Sequence, residues 1–378
     1  MRIAVHNPFR CFGDQTRNHN GYNHAFLRLF KPVIYVPEWE LKYNTQKGIR
    51  EFLRSVKFAA RGGFGLGRSR GMRPYFLDSQ LNPDEFEFAF SLSELNQKAD
   101  VLISFNGYPY LDLNRPVRDF QGMKVYHAYE YVFRATDANR AFVEGGVDFL
   151  FGYTNHGKYC PFFQHFYPSF EDKVIPVPFG FGKRFEVKTN FRDREQKVIA
   201  LGAVNPVNDP YAKGDDLAEY IHFYEGIEWT HQWRRKIVEH KLTLSDIVDC
   251  QLPEYPKTKD YSYDAVAMLN RYAIFLNDEG LMNFPPARTY EGTASGAVLV
   301  SADRPCIRDL GFVNDENCIL HQPLDMDDFR DRVKHYLQHP EQLAVIAQKS
   351  VAMVHERYTH IQVAKQIHAD LAKRYSSS

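Results

Sequence analysis

The chain has 378 residues, 47 basic side chains against 47 acidic ones, 44% hydrophobic residues and 25% charged ones. That length exceeds one ordinary core and suits two α/β domains of roughly 150–200 residues each, while the composition argues against disorder, collagen and coiled coil. Balanced charge leaves no broad positive field for neutralising phosphates, so nucleic acid is not an expected partner.

Cys11, Cys160, Cys250, Cys306 and Cys318 are far apart and lack finger spacing, which points to reduced thiols and no metal site. The opening Met1-Arg-Ile-Ala-Val-His6 turns polar at Asn7, short of the about 7–15 apolar residues of a signal peptide. No run of about 18 apolar residues occurs that would span a bilayer. A cytoplasmic protein is expected, with peripheral contact at the inner membrane face left open.

Arg2 to Val5 form a short apolar run that stops at His6-Asn7-Pro8, as a first parallel strand ends before a loop carrying ligand groups. The loop Phe9 to Gly21 contains Gly13, and Tyr22 to Phe30 follows with helical spacing. Val33–Val36, Val101–Phe105, Lys124–His127, Phe149–Phe151 and Val174–Val177 continue as short runs, most of them separated by helix-length segments. That alternation predicts a mostly parallel sheet. Arg61 to Pro74 is Gly-rich and carries Arg61, Arg68, Arg70 and Arg73, which predicts a basic loop. Gly63, Gly65 and Gly67 alternate without a preceding strand, so the dinucleotide fingerprint is not satisfied. The loop is either plain solvated surface or a clamp for an anionic acceptor, such as a lipid-linked phosphate or a membrane surface.

A polar, charged stretch from Lys183 to Gln196 reads as a linker. Lys197–Gly202 restarts the pattern with a buried-type strand, and Ala273–Leu276, Ala297–Val300 and Cys318–Leu320 extend it. Asp325 to Arg374 is helical by period, broken near His339-Pro340. The expected domains are residues 1–185 and 196–360, with a last helix at about 361–375 able to pack back on the first.

The most informative stretch runs from Leu276 to Val300: an extended run, a Pro-containing loop, a short helix over Arg288–Ser295 stopped by Gly296, then another strand. A helix N-terminus at the carboxyl edge of a parallel sheet suits a diphosphate. Arg288 would add a forked donor, and Glu291, one turn on, is placed to accept both hydroxyls of a ribose. The alternative is a surface i,i+3 ion pair worth about 0.2–0.5 kcal/mol.

Three segments together resemble the C-terminal domain of GT-B glycosyltransferases, nearest the family-4-like "group 1" enzymes. They are Ala287-Arg-Thr-Tyr-Glu-Gly-Thr-Ala-Ser-Gly-Ala-Val-Leu-Val300, then Asp309–Phe312 with Glu316–Leu320, then the helix opening at Asp325 and running to Glu341. The resemblance implies an α/β GT-B fold, two Rossmann-like doubly wound domains facing across a cleft, the second binding a nucleotide-sugar donor. It gives Glu291 the place of the glutamate that holds the donor ribose. Asn283 stands where the family often has a second glutamate. Lys213, in a Lys-Gly pair after Gly202, takes the diphosphate place, and Ala203 replaces an arginine, a loss for which Arg288 is positioned to compensate. Gly13 sits where the family has a glycine loop near donor and acceptor. His127 resembles a histidine that faces the transferred sugar, against the alternative of a structural hydrogen-bonder. Glu130 is read either as its orienter or base, or as a surface carboxylate. Arg68, Arg70 and Arg73 are the acceptor-side candidates.

The implied activity is transfer of a sugar from a nucleotide-sugar to a glycan or lipid-linked acceptor in polysaccharide assembly, retaining, metal-independent and without a cofactor. A GT-B sugar-nucleotide epimerase and a silent nucleotide-sugar-binding scaffold are the alternatives.

Overall fold

The computed structural model describes residues 1–8, 21–44, 48–62, 66, 68, 81–107, 114–128, 131–208, 214–251 and 264–377. The chain divides into two compact units, one of residues 1–152, 172–175 and 364–378, the other of residues 153–171 and 176–363.

The first unit is built on a seven-stranded sheet in the order β3-β2-β1-β4-β5-β6-β7. Its strands are β1 (Ile3–His6), β2 (Val33–Tyr35), β3 (Phe88–Ala89), β4 (Val101–Gly107), β5 (Met123–His127), β6 (Phe149–Gly152) and β7 (Val174–Pro176). Pairing is parallel on both sides of β1, with Ala4 opposite Val33 and Leu102. Parallel strands covered on both faces read as unbroken apolar runs, and Ala4, Val5, Leu102, Ile103 and Val125 are fully buried. The order reverses at β1/β4, the point where such sheets open a crevice beyond the strand ends.

The second unit repeats the plan with five parallel strands in the order β12-β11-β10-β8-β9. These are β8 (Glu195–Leu201), β9 (Val248–Gln251), β10 (Tyr272–Leu276), β11 (Val298–Ala302) and β12 (Ile319–His321). Along β8 the side chains alternate between two cores. Val198 and Ala200 pack with Ile237, Ile274 and Phe329 on one face, and Ile199 and Leu201 pack with Phe275, Tyr290 and Leu299 on the other. The order reverses between β8 and β10. After β12 the chain is helical over Met326–Gln338, Pro340–Arg357 and His360–Ser377. Asp325 caps the first of these through Asp327 and Asp328 N–H, and Pro340 opens the second at a position that needs no N–H.

Two departures from the sequence reading have local causes. The strand Phe88–Ala89 is too short to stand out as an apolar run, and Val248–Gln251 alternates with the polar residues Asp249 and Gln251. Arg61 and Gly62, expected to open the basic loop, instead end a helix over Ile49–Gly62.

Candidate functional site

The reversal point of the second sheet gathers positive charge. Gly202 follows β8 with φ +113°, a left-handed conformation that glycine adopts at little cost. A Cβ there would lie 2.8 Å from the Arg288 Nη1 atom and 3.0 Å from the Arg234 Nη1 atom. Arg288, on the helix Ala287–Ala294, donates from Nη1 to the Leu201 carbonyl at 2.8 Å. Arg234, on the helix Gln232–Glu239, donates from Nη1 to the Ala203 carbonyl at 3.0 Å, and its backbone N–H donates to the Asp278 carboxylate at 3.0 Å. Asp278, just past β10, also accepts the Gly280 N–H at 2.8 Å. Two guanidiniums therefore converge on one glycine, each held by backbone carbonyls.

His231 precedes Arg234 by three residues. Burial, with Arg234 and Arg288 adding repulsion against the opposing pull of Asp278, pushes its pKa down to about 3, so the imidazole is neutral at pH 7. Its covered Nδ1 has no hydrogen-bond partner.

The helix Ala287–Ala294 starts after Pro286 with no side-chain cap; the Thr289 N–H donates to the Pro286 carbonyl at 2.9 Å, which leaves the N–H groups of Ala287 and Arg288 at the open end. Glycine sets its seat on the sheet. A Cβ at Gly292 would come 2.7 Å from the Phe275 ring. Glu291, buried at 7% exposure, lies one turn beyond Arg288. Behind the helix, Thr289 donates to Asn277 at 3.1 Å, Asn277 to Glu279 at 2.7 Å, and Ser301 to Glu279 at 2.5 Å. Full burial, with Asp278 beside it, raises the Glu279 pKa despite those donors.

The structure thus brings Gly202 and Arg288 together and puts Glu291 on the same helix as Arg288. Asn283, at φ +50°, lies in the loop between β10 and that helix and donates to the Tyr159 carbonyl at 3.1 Å. Lys213 lies outside the described residues, as do Gly13, Arg70, Arg73 and Glu130.

In the first unit, His127 ends β5 fully buried, with Nε2 3.3 Å from the Tyr22 hydroxyl, and burial drives its pKa down to about 3. Arg68 binds the Glu38 carboxylate at 2.7 Å, with its guanidinium 4.3 Å over the Phe90 ring. The β1/β4 reversal point holds a polar cluster that the sequence reading did not identify. Glu40, fully buried, faces His6 Nε2 at 3.1 Å and accepts from the Asn7 side chain and, at 3.2 Å, from the Asn114 N–H. His6 Nδ1 lies 3.1 Å from the Tyr126 hydroxyl, and Asn106 donates to the Asn7 carbonyl at 2.8 Å and to Asn114 at 3.0 Å.

Arg234, His231 and Asp278 are further functional candidates that the sequence reading missed. The partners of Arg234 are 31 and 44 positions away, and no local spacing reveals them. Among the described residues, no group of three or more His, Cys, Asp or Glu side chains could hold a metal ion.

Residues 232–369 match the family described as Glycosyl transferase-like. No curated protein matches the chain. Anabaena Alr3699/HepE in complex with UDP-glucose is similar in structure at a TM-score of 0.53 and 10% identity, covering 99% of this chain and 100% of that one. Its complex with UDP gives a TM-score of 0.51 over the same shares, also at 10% identity. Sucrose-phosphate synthase from Thermosynechococcus elongatus covers 100% of each chain at 10% identity and a TM-score of 0.49. The chain has the two-sheet α/β fold of GT-B glycosyltransferases, and the stretch that matches the glycosyl transferase-like family lies mostly in its second unit.

Proposed function

We propose that the chain is a glycosyltransferase that binds a nucleotide-sugar at the β8/β10 reversal point and moves the sugar to a glycan or lipid-linked acceptor. The observation that carries this reading is the convergence of Arg234 and Arg288 on Gly202. A diphosphate laid against the bare glycine backbone meets two permanently charged forks and the N-terminus of the helix Ala287–Ala294. As the glycosidic bond breaks, negative charge builds on the leaving phosphates, and the same groups stabilise it. This supports a metal-independent reaction that needs no cofactor, since the compensating charge is already in the side chains. Retention of configuration follows the resembled family. Glu291 is assigned the ribose hydroxyls, Lys213 a phosphate contact, and His127 and Glu130 the sugar-facing roles. A cytoplasmic location with peripheral membrane contact fits a lipid-linked acceptor and polysaccharide assembly.

The HepE complexes contain UDP and UDP-glucose, which makes uridine nucleotides the first probes. A thermal-shift series with UDP, GDP, dTDP, CMP and their sugars tests the reading. Ligand at about 100 times its dissociation constant stabilises by roughly 2.7 kcal/mol. One nucleotide class is expected to raise the wild-type midpoint by several degrees, with the response lost in Arg288→Ala and Glu291→Ala. If no nucleotide stabilises the protein, the proposal fails; donor turnover without any acceptor would replace it with an epimerase.

A further inference from the structure

The helix Ile49–Gly62 of the first unit turns its apolar stripe away from the core. A surface helix of a globular domain normally faces its i, i+3, i+4, i+7 apolar row inward. Here that row is Ile49, Phe52, Leu53 and Val56, and its members are 79%, 41%, 61% and 42% exposed, whereas Ser55 is buried at 3%. Basic residues flank the row. Arg50 and Lys57 are exposed, at i−3 and i+4 from Leu53, so both lie beside it on the helix surface. Over the whole helix the sequence has Arg50, Arg54, Lys57 and Arg61 against the single acid Glu51, in a chain with no net charge.

We propose that this helix is an in-plane membrane anchor, which lays Ile49, Phe52, Leu53 and Val56 into the headgroup–acyl boundary of an anionic bilayer. Arg50 and Lys57 then lie at the level of the lipid phosphates. A basic flank beside an apolar stripe is the pattern that partitions to such a surface, because apolar burial and attraction to anionic lipid act together. The charge also decides between occupants. In a symmetric contact with a second copy, two helices of the same basic excess would face each other, whereas an anionic bilayer meets that excess with opposite charge. The helix lies on the membrane rather than crossing it, since no described helix is long and apolar enough to span.

The inference gives a location to the membrane contact named in the proposed function, but it does not depend on catalysis, so the two are tested separately. Co-sedimentation of the full chain would be measured with vesicles of equal parts phosphatidylglycerol and phosphatidylcholine, and with phosphatidylcholine alone. Nucleotide thermal shift on the same samples reports folding and the donor site. The wild type is expected to pellet with the anionic vesicles. Ile49→Ser/Leu53→Ser is expected to lower the partition coefficient by about tenfold or more while the nucleotide response is unchanged. Arg50→Glu/Lys57→Glu is expected to abolish the preference for anionic lipid. The anchor is refuted if the wild type stays in solution with anionic vesicles, or if the serine variant pellets as well as the wild type. It is also refuted if the serine substitutions turn a dimer into a monomer without lipid, which would make the stripe a contact between copies.

Discussion

At the level of single residues, the candidate site is a matter of where charge is held. The Arg234 guanidinium donates to the Ala203 carbonyl at 3.0 Å and reaches the Asp278 carbonyl at 3.5 Å, so its fork is already oriented before any ligand arrives. Arg234→Lys keeps the charge but loses the planar fork, and is expected to weaken nucleotide binding by about tenfold, or about 1.4 kcal/mol, in a calorimetric titration. Unchanged affinity would remove Arg234 from the site. Glu40 carries a pH prediction. Burial alone would raise its pKa, but the facing His6 and the donors Asn7 and Asn114 outweigh burial and hold the carboxyl below its ordinary 4.5. A carboxyl with a depressed folded pKa binds protons more readily when unfolded, so its contribution is complete above the unfolded value and is lost as pH falls through the folded one. Urea midpoints of the wild type should therefore drop as pH falls below about 4.5 more steeply than those of Glu40→Gln. Parallel acid limbs would refute the assignment. Arg288 and Glu291 were legible in the sequence because a strand, a Pro loop and a Gly-stopped helix lie within 25 consecutive residues, Leu276 to Val300. Arg234 sits in a stretch that the sequence reading did not single out, and His6 and Glu40 are 34 positions apart; only the fold brings such partners together.

At the level of elements, the helix Ala287–Ala294 must sit close on the sheet and end cleanly, and two residues see to this. Gly292 lets it approach Phe275, so Gly292→Ala overpacks the contact and is expected to cost about 1–3 kcal/mol in chemical denaturation. Arg194 closes the other end. Its guanidinium donates to the Leu269 and Tyr272 carbonyls at 2.9 and 3.2 Å and to the Ser295 carbonyl at 2.5 Å, joining the carboxyl ends of two helices. Burial lowers its pKa to about 10, so it remains charged at pH 7. Arg194→Met leaves those carbonyls without a donor and is expected to destabilise by about 3–5 kcal/mol; a loss under about 1 kcal/mol would show that water replaces the side chain. The sequence reading found ten of the strands because unbroken Val, Ile, Leu and Phe runs are what two-sided burial demands. The linker reading of Lys183 to Gln196 did not single out Arg194, since nothing local shows that the backbone ends of two helices surround it.

At the level of the whole molecule, the same parallel architecture occurs twice, and each sheet has one reversal point where a ligand crevice is expected. The two points differ in chemistry. At β1/β4, His6, Asn7, Glu40, Asn106 and Asn114 bond largely to one another, and the charged carboxylate has its partner within the cluster. At β8/β10 two permanent positive charges lie beside one glycine: the Arg288 guanidinium donates to the Leu201 carbonyl and the Arg234 guanidinium to the Ala203 carbonyl, while Asp278 accepts the Arg234 backbone N–H and His231 is held neutral beside them. The proposed donor site is therefore placed at the second point, although topology alone makes the two equivalent. Hydrogen exchange distinguishes them. With a saturating nucleotide diphosphate, slower exchange is expected at the amides of residues 202–204, 278–281 and 287–291, because a bound diphosphate occupies the N–H groups at the start of the helix and suppresses local opening. The amides of Asn7, Asn106 and Asn114 should exchange at their ligand-free rates. Protection centred on those three asparagines instead would move the nucleotide to the first sheet, and the two arginines would then be structural ties for the strand ends.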